Sequence, residues 1–316
     1  MLGIVFGPFI PVSDQHSSLL LNDGFLAFRD YNKTDLMSDP AILARVSSIG
    51  TQLGEPFEDF LTAKPMVAVQ ANYELFLYAF FIAVAEYVIE TEQPDETVFG
   101  FISSGIFPAL CAADALPIET CFKKLRPIYQ RYFRKAAQDM EKNKSSSFIL
   151  ESDAATDPEF RALLATAEFD KHVFIKDRRG PFSYSMAGQK SKLRAFKEQL
   201  AHLPIKAGHV FPSVSSHTPQ CRAFVRPGKI KSIPFSQNHR KLLMGGKVQN
   251  SLGTLPPGDR QRLIDHHVRM PMETYDEFEK LSKIARKIVY IGGQQTALIA
   301  KTFLRHKHHN LDVILI

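Results

Sequence analysis

The sequence predicts an α/β protein: a large domain on a mainly parallel sheet, interrupted by a small inserted α+β subdomain. Three observations carry this expectation. Short apolar runs alternate with helical patterns along the chain. A stretch apolar on every face, Lys64 to Tyr87, has the character of a buried helix. Between about Phe148 and Pro212 the texture changes to short strand, helix, strand, helix units. Strand and helix in alternation favour parallel neighbours with helices on the sheet faces. The expected division is 1–145 with 213–316 as the large domain, and 146–212 as the insert.

Each element has a local reason. Leu2 to Phe6 is an uninterrupted apolar run, as a strand covered on both faces requires. It lacks the basic segment and small-residue cleavage site of a secretory signal, so it reads as a first buried strand. Pro65 sits near the start of the Lys64 to Tyr87 helix, where a missing N–H is harmless. Val98 to Ile102 is the next strand, and Glu119 to Lys142 an amphipathic helix rich in Lys and Arg. Phe148 to Leu150, His172 to Ile175 and Phe182 to Met186 read as strands of the insert, with turns at Arg179-Gly180-Pro181 and Ala187-Gly188. Pro212 returns the chain to the main body, Gly253 to Asp259 reads as a loop, and Ile288 to Ile291 as a last strand.

Composition bounds the function. With 316 residues, 45% of them hydrophobic, the chain buries a substantial core. Three cysteines, Cys111, Cys121 and Cys221, show no C-x-x-C spacing, which favours reduced thiols and a cytoplasmic setting. The longest apolar run, Leu75 to Ala85, has about half the residues a bilayer crossing needs, so no membrane association is expected. A net charge of +6, clustered in Lys123 to Arg126, Arg131 to Lys135, Lys176 to Arg179, Lys229 to Lys231 and Arg305 to Lys307, suits an anionic partner. Zinc-finger spacing, an RNP-type aromatic strand and an extended basic arm are all missing, which argues against nucleic acid. His266-His267 and His306 to His309 are metal-ligand candidates by residue type. Adjacent residues on one element point apart, however, so no metal is expected.

The chemistry centres on Val98 to Leu110, VFGFISSGIFPAL. A strand ending in x-Ser-x-Gly and entering a helix has the form of a nucleophile elbow, in which a tight turn lifts the hydroxyl and the next N–H groups can hold an oxyanion. Serine is equally a favoured helix cap, so residues 103 and 104 alone leave both readings open. Ser104 becomes the nucleophile if Phe101-Ile102 carries a one-residue bulge.

The wider pattern resembles the malonyl-CoA:acyl carrier protein transacylases and the acyltransferases of fatty acid and polyketide synthesis. Ser103 to Leu116 is similar to the family's elbow and small-residue helix, and Ala63 to Val67 to the opening of the preceding helix. Phe182 to Lys190 resembles the insert strand, Ser215 to Thr218 the catalytic-histidine loop, and Val289 to Gln294 the C-terminal strand and turn. The resemblance implies an α/β-hydrolase-like large domain, a ferredoxin-like insert, Ser103 as nucleophile and His217 as general base. It implies an oxyanion hole from the N–H groups of Ser104 and Phe9, and a segment Met270 to Glu273 that orients the histidine, with Glu273 as the candidate orienter. It implies no permanently bound cofactor, CoA or phosphopantetheine thioesters as substrates, and acyl carrier protein and acyl-CoA as partners.

Departures from that pattern narrow the substrate. Ile128 stands where the family has its malonate-binding arginine, 25 residues after the nucleophile, Ile102 where it has a histidine, and Lys64 where it has a glutamine. Arg126 and Arg131 lie two and three positions away from the arginine's place. A pocket formed by Phe101, Ile102, Ile128 and Lys64 favours a neutral, apolar acyl group, because a buried carboxylate without an arginine partner is costly. The expected activity is a standalone acyltransferase acting between thioesters. A thioester hydrolase and a non-catalytic carrier-binding protein are the alternatives.

Overall fold

The computed structural model describes residues 1–7, 36, 38–55, 57, 73–130, 145–213, 217–219, 230–292 and 310–315. Two compact units make up the chain: residues 1–124, 234–255 and 280–316 form the first, and residues 125–233 and 256–279 the second. The second takes in the segment 146–212 together with its flanks and one later excursion.

The first unit is built on a six-stranded sheet. In chain order its strands are β1 (Leu2–Phe6), β2 (Thr97–Phe101), then β8 (Lys241–Met244), β9 (Lys247–Gln249), β10 (Lys287–Gly292) and β11 (Asn310–Leu315), the five strands numbered between belonging to the second unit. Their spatial order is β11-β10-β1-β2-β8-β9. All pairings are parallel except the β8–β9 hairpin at one edge. The mainly parallel sheet expected from the sequence is therefore present. Every residue of β1 is buried, which accounts for its unbroken apolar run.

Helix α1 (Pro40–Leu53) begins where Asp39 accepts the N–H groups of Ala41 and Ile42 at 2.8 and 3.2 Å, and it ends at Gly54 with φ 69°. Helix α2 (Tyr73–Glu92) is buried almost continuously from Phe76 to Ala85, as a helix apolar on all faces should be. It extends further than Tyr87, while the Lys64 and Pro65 portion of the expected helix lies outside the described residues. Tyr78 stacks on Phe122 at 5.7 Å and meets Phe107 edge-on at 6.1 Å, tying α2 to α3 (Ile106–Ala112), the helix after the serine turn.

In the second unit the elements run β3 (Ser145–Glu151), α4 (Asp157–Leu164), β4 (Val173–Gly180), β5 (Ser183–Gln189), α5 (Lys190–Leu200) and β6 (Lys206–Ala207). The sheet order is β4-β5-β3-β6, antiparallel throughout, with β7 (Phe211–Pro212) also on β3. The β-α-β-β-α-β succession is that of a ferredoxin-like fold. Its core is aromatic: Phe160, Phe169 and Phe196 meet beneath the sheet, the last two edge-on at 4.9 Å. Helix α6 (Pro257–Arg269) follows later in the chain, and then α7 (Thr274–Ser282). The loop expected over Gly253 to Asp259 is replaced by a 3-10 turn, Leu252–Thr254, and by α6, which Pro257 opens because proline suits a first helical position.

Candidate active site

The serine turn is built by β1, β2 and α3 at the carboxyl end of the sheet's middle strands, where open α/β sheets place their sites. Strand β2 stays in register with β1 to its last residue, Phe6 opposite Phe101, and the Ile102 N–H still reaches Phe6 O at 2.9 Å. No bulge intervenes, so the chain turns at Ser103. Ser103 adopts φ 52°, opens the 3-10 turn Ser103–Gly105, and hands over to α3. Left-handed backbone is uncommon for a residue with a side chain. Among the described residues three others share it: Gln93, Asp114 and His217. Gln93 follows directly on α2 and Asp114 comes just after the Ala113 cap of α3, places where a left-handed residue ends a helix routinely. Ser103 and His217 have no such reason.

Gly105 explains how the turn fits. A Cβ there would overlap the Phe6 carbonyl oxygen and stand 2.7 Å from its carbon and 3.1 Å from Gly7 O, all backbone atoms that cannot yield. A Cβ on Gly100 would meet only the Val5 and Leu281 side chains, at 3.4 and 3.8 Å. The indispensable glycine thus lies two residues after the serine, and the buried Phe101 is tolerated two before it. Phe101, Ile102, Ser103 and Ser104 are all buried on this turn, with Ser103 9% exposed. The Ser104 N–H lies in the first turn of the helical segment, where donors lack intrahelical acceptors. Phe9 and Lys64 lie outside the described residues.

His217 belongs to the second unit. It is 1% exposed, has φ 64°, and its Nδ1 is 2.9 Å from the carbonyl oxygen of Met270. A carbonyl only accepts, so Nδ1 carries the hydrogen and Nε2 is left as the basic nitrogen. Burial pushes the ring down to about pKa 4, with the Met270 bond opposing and the Lys176 ammonium assisting, so the ring is neutral at pH 7. Within the expected segment Met270 to Glu273, the carbonyl that meets the His217 ring is that of Met270 and not of Glu273. Helix α6 stops at Arg269, and Met270 (φ −80°, ψ 161°) turns its carbonyl out of the helix. Glu273 O instead accepts the N–H of Glu277 in the first turn of α7.

The segment carrying Ile128 departs from a plain helix. A short turn, Ile118–Thr120, leads into a π-turn at Cys121–Leu125 before α-helix resumes through residue 130. A π-turn takes in an extra residue, so later positions do not fall where α-helical counting puts them. Leu125, Arg126 and Tyr129 are buried, while Ile128 is half-buried. Arg126, 5% exposed, turns its guanidinium to the side-chain amide of Gln130, one turn on. Tyr129 Oη donates to Asp265 Oδ1 on α6 at 2.8 Å, and Gln261 and Arg269 donate to Oδ2 of the same carboxylate at 3.0 and 3.3 Å. The sequence alone sets Arg126 aside, because on a regular helix a residue two positions from the arginine's place lies on a different part of the surface.

Among the described residues, no group of three His, Cys, Asp or Glu side chains is arranged to hold a metal ion. No helix among them is long and apolar enough to cross a membrane.

No protein-family model matches the chain, and no curated protein matches it by sequence. Solved structures do. The malonyl-CoA:acyl carrier protein transacylase of Streptococcus pneumoniae superposes with a TM-score of 0.70 at 16% identity, covering 99% of this chain and 96% of that one. The corresponding transacylase of Clostridium perfringens gives 0.71 at 12%, covering 99% and 92%. A malonyl-transacylase solved in complex with a type II polyketide synthase acyl carrier protein gives 0.66 at 12%, covering 100% and 95%. The chain has the fold of these acyltransferases over its whole length.

Proposed function

We propose that the chain is an acyltransferase that carries acyl groups between thiols through an ester on Ser103, with His217 as general base. The observation that carries this reading is the left-handed Ser103 at the turn from a central parallel strand into a helix, on a fold shared with transacylases. The neutral, anchored ring of His217 supports the second role. In the proposed reaction Nε2 takes the hydroxyl proton as Oγ bonds to the thioester carbon; the C–S bond breaks and the proton passes to the departing thiolate. A second thiol reverses these steps. The N–H groups of Ser104 and Phe9 are the proposed oxyanion donors.

The proposed partners are an acyl carrier protein and acyl-CoA. The carrier complex of the structurally similar malonyl-transacylase supports the first, and the net charge of +6 suits both. For the acyl group, the buried Phe101 and Ile102 beside Ser103 and isoleucine at position 128 favour a neutral, apolar chain. The burial of Arg126 supports a second reading, in which the acyl group ends in a carboxylate bound by that guanidinium.

Intact-protein mass spectrometry after exposure to acyl-CoA and acyl-pantetheine thioesters tests these readings. An acyl mass on the parent chain, lost in Ser103→Ala and slow to form in His217→Ala, is the expected result; no adduct with any thioester overturns it. Butyryl labelling ahead of malonyl supports the apolar group. Malonyl labelling ahead of butyryl, abolished by Arg126→Met, supports the carboxylate. Adding carrier protein separates transfer, which yields acyl carrier, from hydrolysis, which yields free acid.

A further inference from the structure

Strand β4 lies at the edge of the small sheet, and its pairing with β5 slips twice, between Ile175 and Asp177 and between Arg178 and Gly180. Such bulges re-aim side chains and are common beside functional sites. Here they accompany a second pairing. The Met272 N–H reaches Lys176 O at 2.8 Å, and the Arg178 N–H reaches Met272 O at 2.8 Å, a parallel bridge between the edge strand and the segment joining α6 to α7.

Side chains of the same three residues reinforce it. Asp177, 5% exposed, accepts the Thr274 N–H on Oδ1 at 3.4 Å. Arg178 Nη1 donates to both carboxylate oxygens of Asp276 at 2.9 and 3.0 Å, and its guanidinium lies 5.7 Å from the Tyr275 ring centre. Lys176 Nζ donates to Ser213 Oγ at 3.2 Å, four residues before His217. The strap so gripped, Met270 to Asp276, is the one whose first carbonyl holds the His217 ring. Burying Asp177 raises its pKa, an expense that a merely decorative carboxylate would not justify.

We propose that Lys176, Asp177 and Arg178 form a clasp that positions His217, with Asp177 and Arg178 fixing the Met270 carbonyl and Lys176 fixing the chain on the histidine's other side. These are positioning residues: they act on the reaction through the ring they hold. The kinetic part of this inference rests on the function proposed above; the geometric part does not.

The test compares the full-length parent with Asp177→Ala, Asp177→Asn and Arg178→Gln, each labelled with 15N-histidine. In Asp177→Ala the His217 ring signals move from the single Nδ1–H tautomer toward a mixture. Acylation at saturating thioester slows about 10- to 100-fold, as a misplaced base requires, while KM changes by less than about twofold. Asp177→Asn retains Oδ1 as an acceptor and keeps parental spectra and rates. Arg178→Gln leaves the buried carboxylate in place and carries the test if Asp177→Ala does not fold; its kcat falls about threefold with KM unchanged. Parental tautomer and kcat in Asp177→Ala and Arg178→Gln overturn the clasp, and so does an Asp177→Asn as impaired as the alanine variant. A parent that takes no acyl group at Ser103 overturns the proposed function instead, and the tautomer comparison then decides the clasp alone.

Discussion

Replacing His217 with asparagine should flatten the acid limb of the stability curve. In the folded chain the buried imidazole titrates at about pKa 4, against 6.5 for the group in model compounds. The unfolded chain therefore binds this proton more readily. Stability from the neutral ring is complete above about pH 6.5, is lost as pH falls toward 4, and changes no further below that. A gap of about 2.5 pH units at 1.36 kcal/mol each amounts to about 3 kcal/mol. Asparagine tolerates the left-handed backbone of position 217 and can still donate to the Met270 carbonyl, but it does not titrate. Urea unfolding of parent and variant at pH 7.5, 5.5 and 4.5 isolates this one group, because all other titrations cancel in the difference. The parent should lose about 2 to 3 kcal/mol more than the variant across that span. Parallel curves would show that the ring protonates freely in the folded chain, and the argument for a neutral base would fail with it.

Three further outcomes follow from the geometry. Gly105→Ala, whose Cβ would overlap the backbone of Phe6, should lower the thermal midpoint strongly, whereas Gly100→Ala, with only side chains nearby at 3.4 and 3.8 Å, should stay close to the parent; calorimetry on the pair checks this. Ser103→Gly removes the side chain from a φ of 52° and should stabilise the chain by about 1 kcal/mol in urea unfolding while abolishing acyl labelling, the signature of strain kept for function. Asp265→Ala removes the carboxylate that accepts from Tyr129, Gln261 and Arg269 and should cost about 3 kcal/mol; Asp265→Asn, which keeps an acceptor, should cost less in the same denaturation assay.

Where burial is two-sided the sequence is easy to read, because nothing but apolar residues can occupy the run; β1 and β2 lie within a residue of their expected places. The serine turn was legible for a related reason, since Gly105 is what close approach to the backbone of β1 demands. The β8–β9 hairpin escaped notice, yet its signal was present: Gly245 and Gly246, at φ 60° and 75°, are the pair that a two-residue turn calls for. Other features leave no such trace. The π-turn at Cys121–Leu125 has no composition of its own, and counting along a regular helix does not anticipate that Arg126 just after it is buried while Ile128 is half-buried. Which carbonyl holds His217 depends on where α6 stops, a boundary decided by tertiary packing. The Asp177 clasp reads, in sequence, as one acid among four charges.

The position of β1 between β2 and β10 also dictates an order of assembly. Leu2 is paired with Lys287, a partner 285 residues later, so the central sheet cannot close until nearly all of the chain is available. The β-α-β-β-α-β unit spans 145–207 and needs only its own neighbours. During synthesis it can condense early, while the greasy first strand waits exposed for its last partner, a delay of the kind that invites aggregation and recruits chaperones.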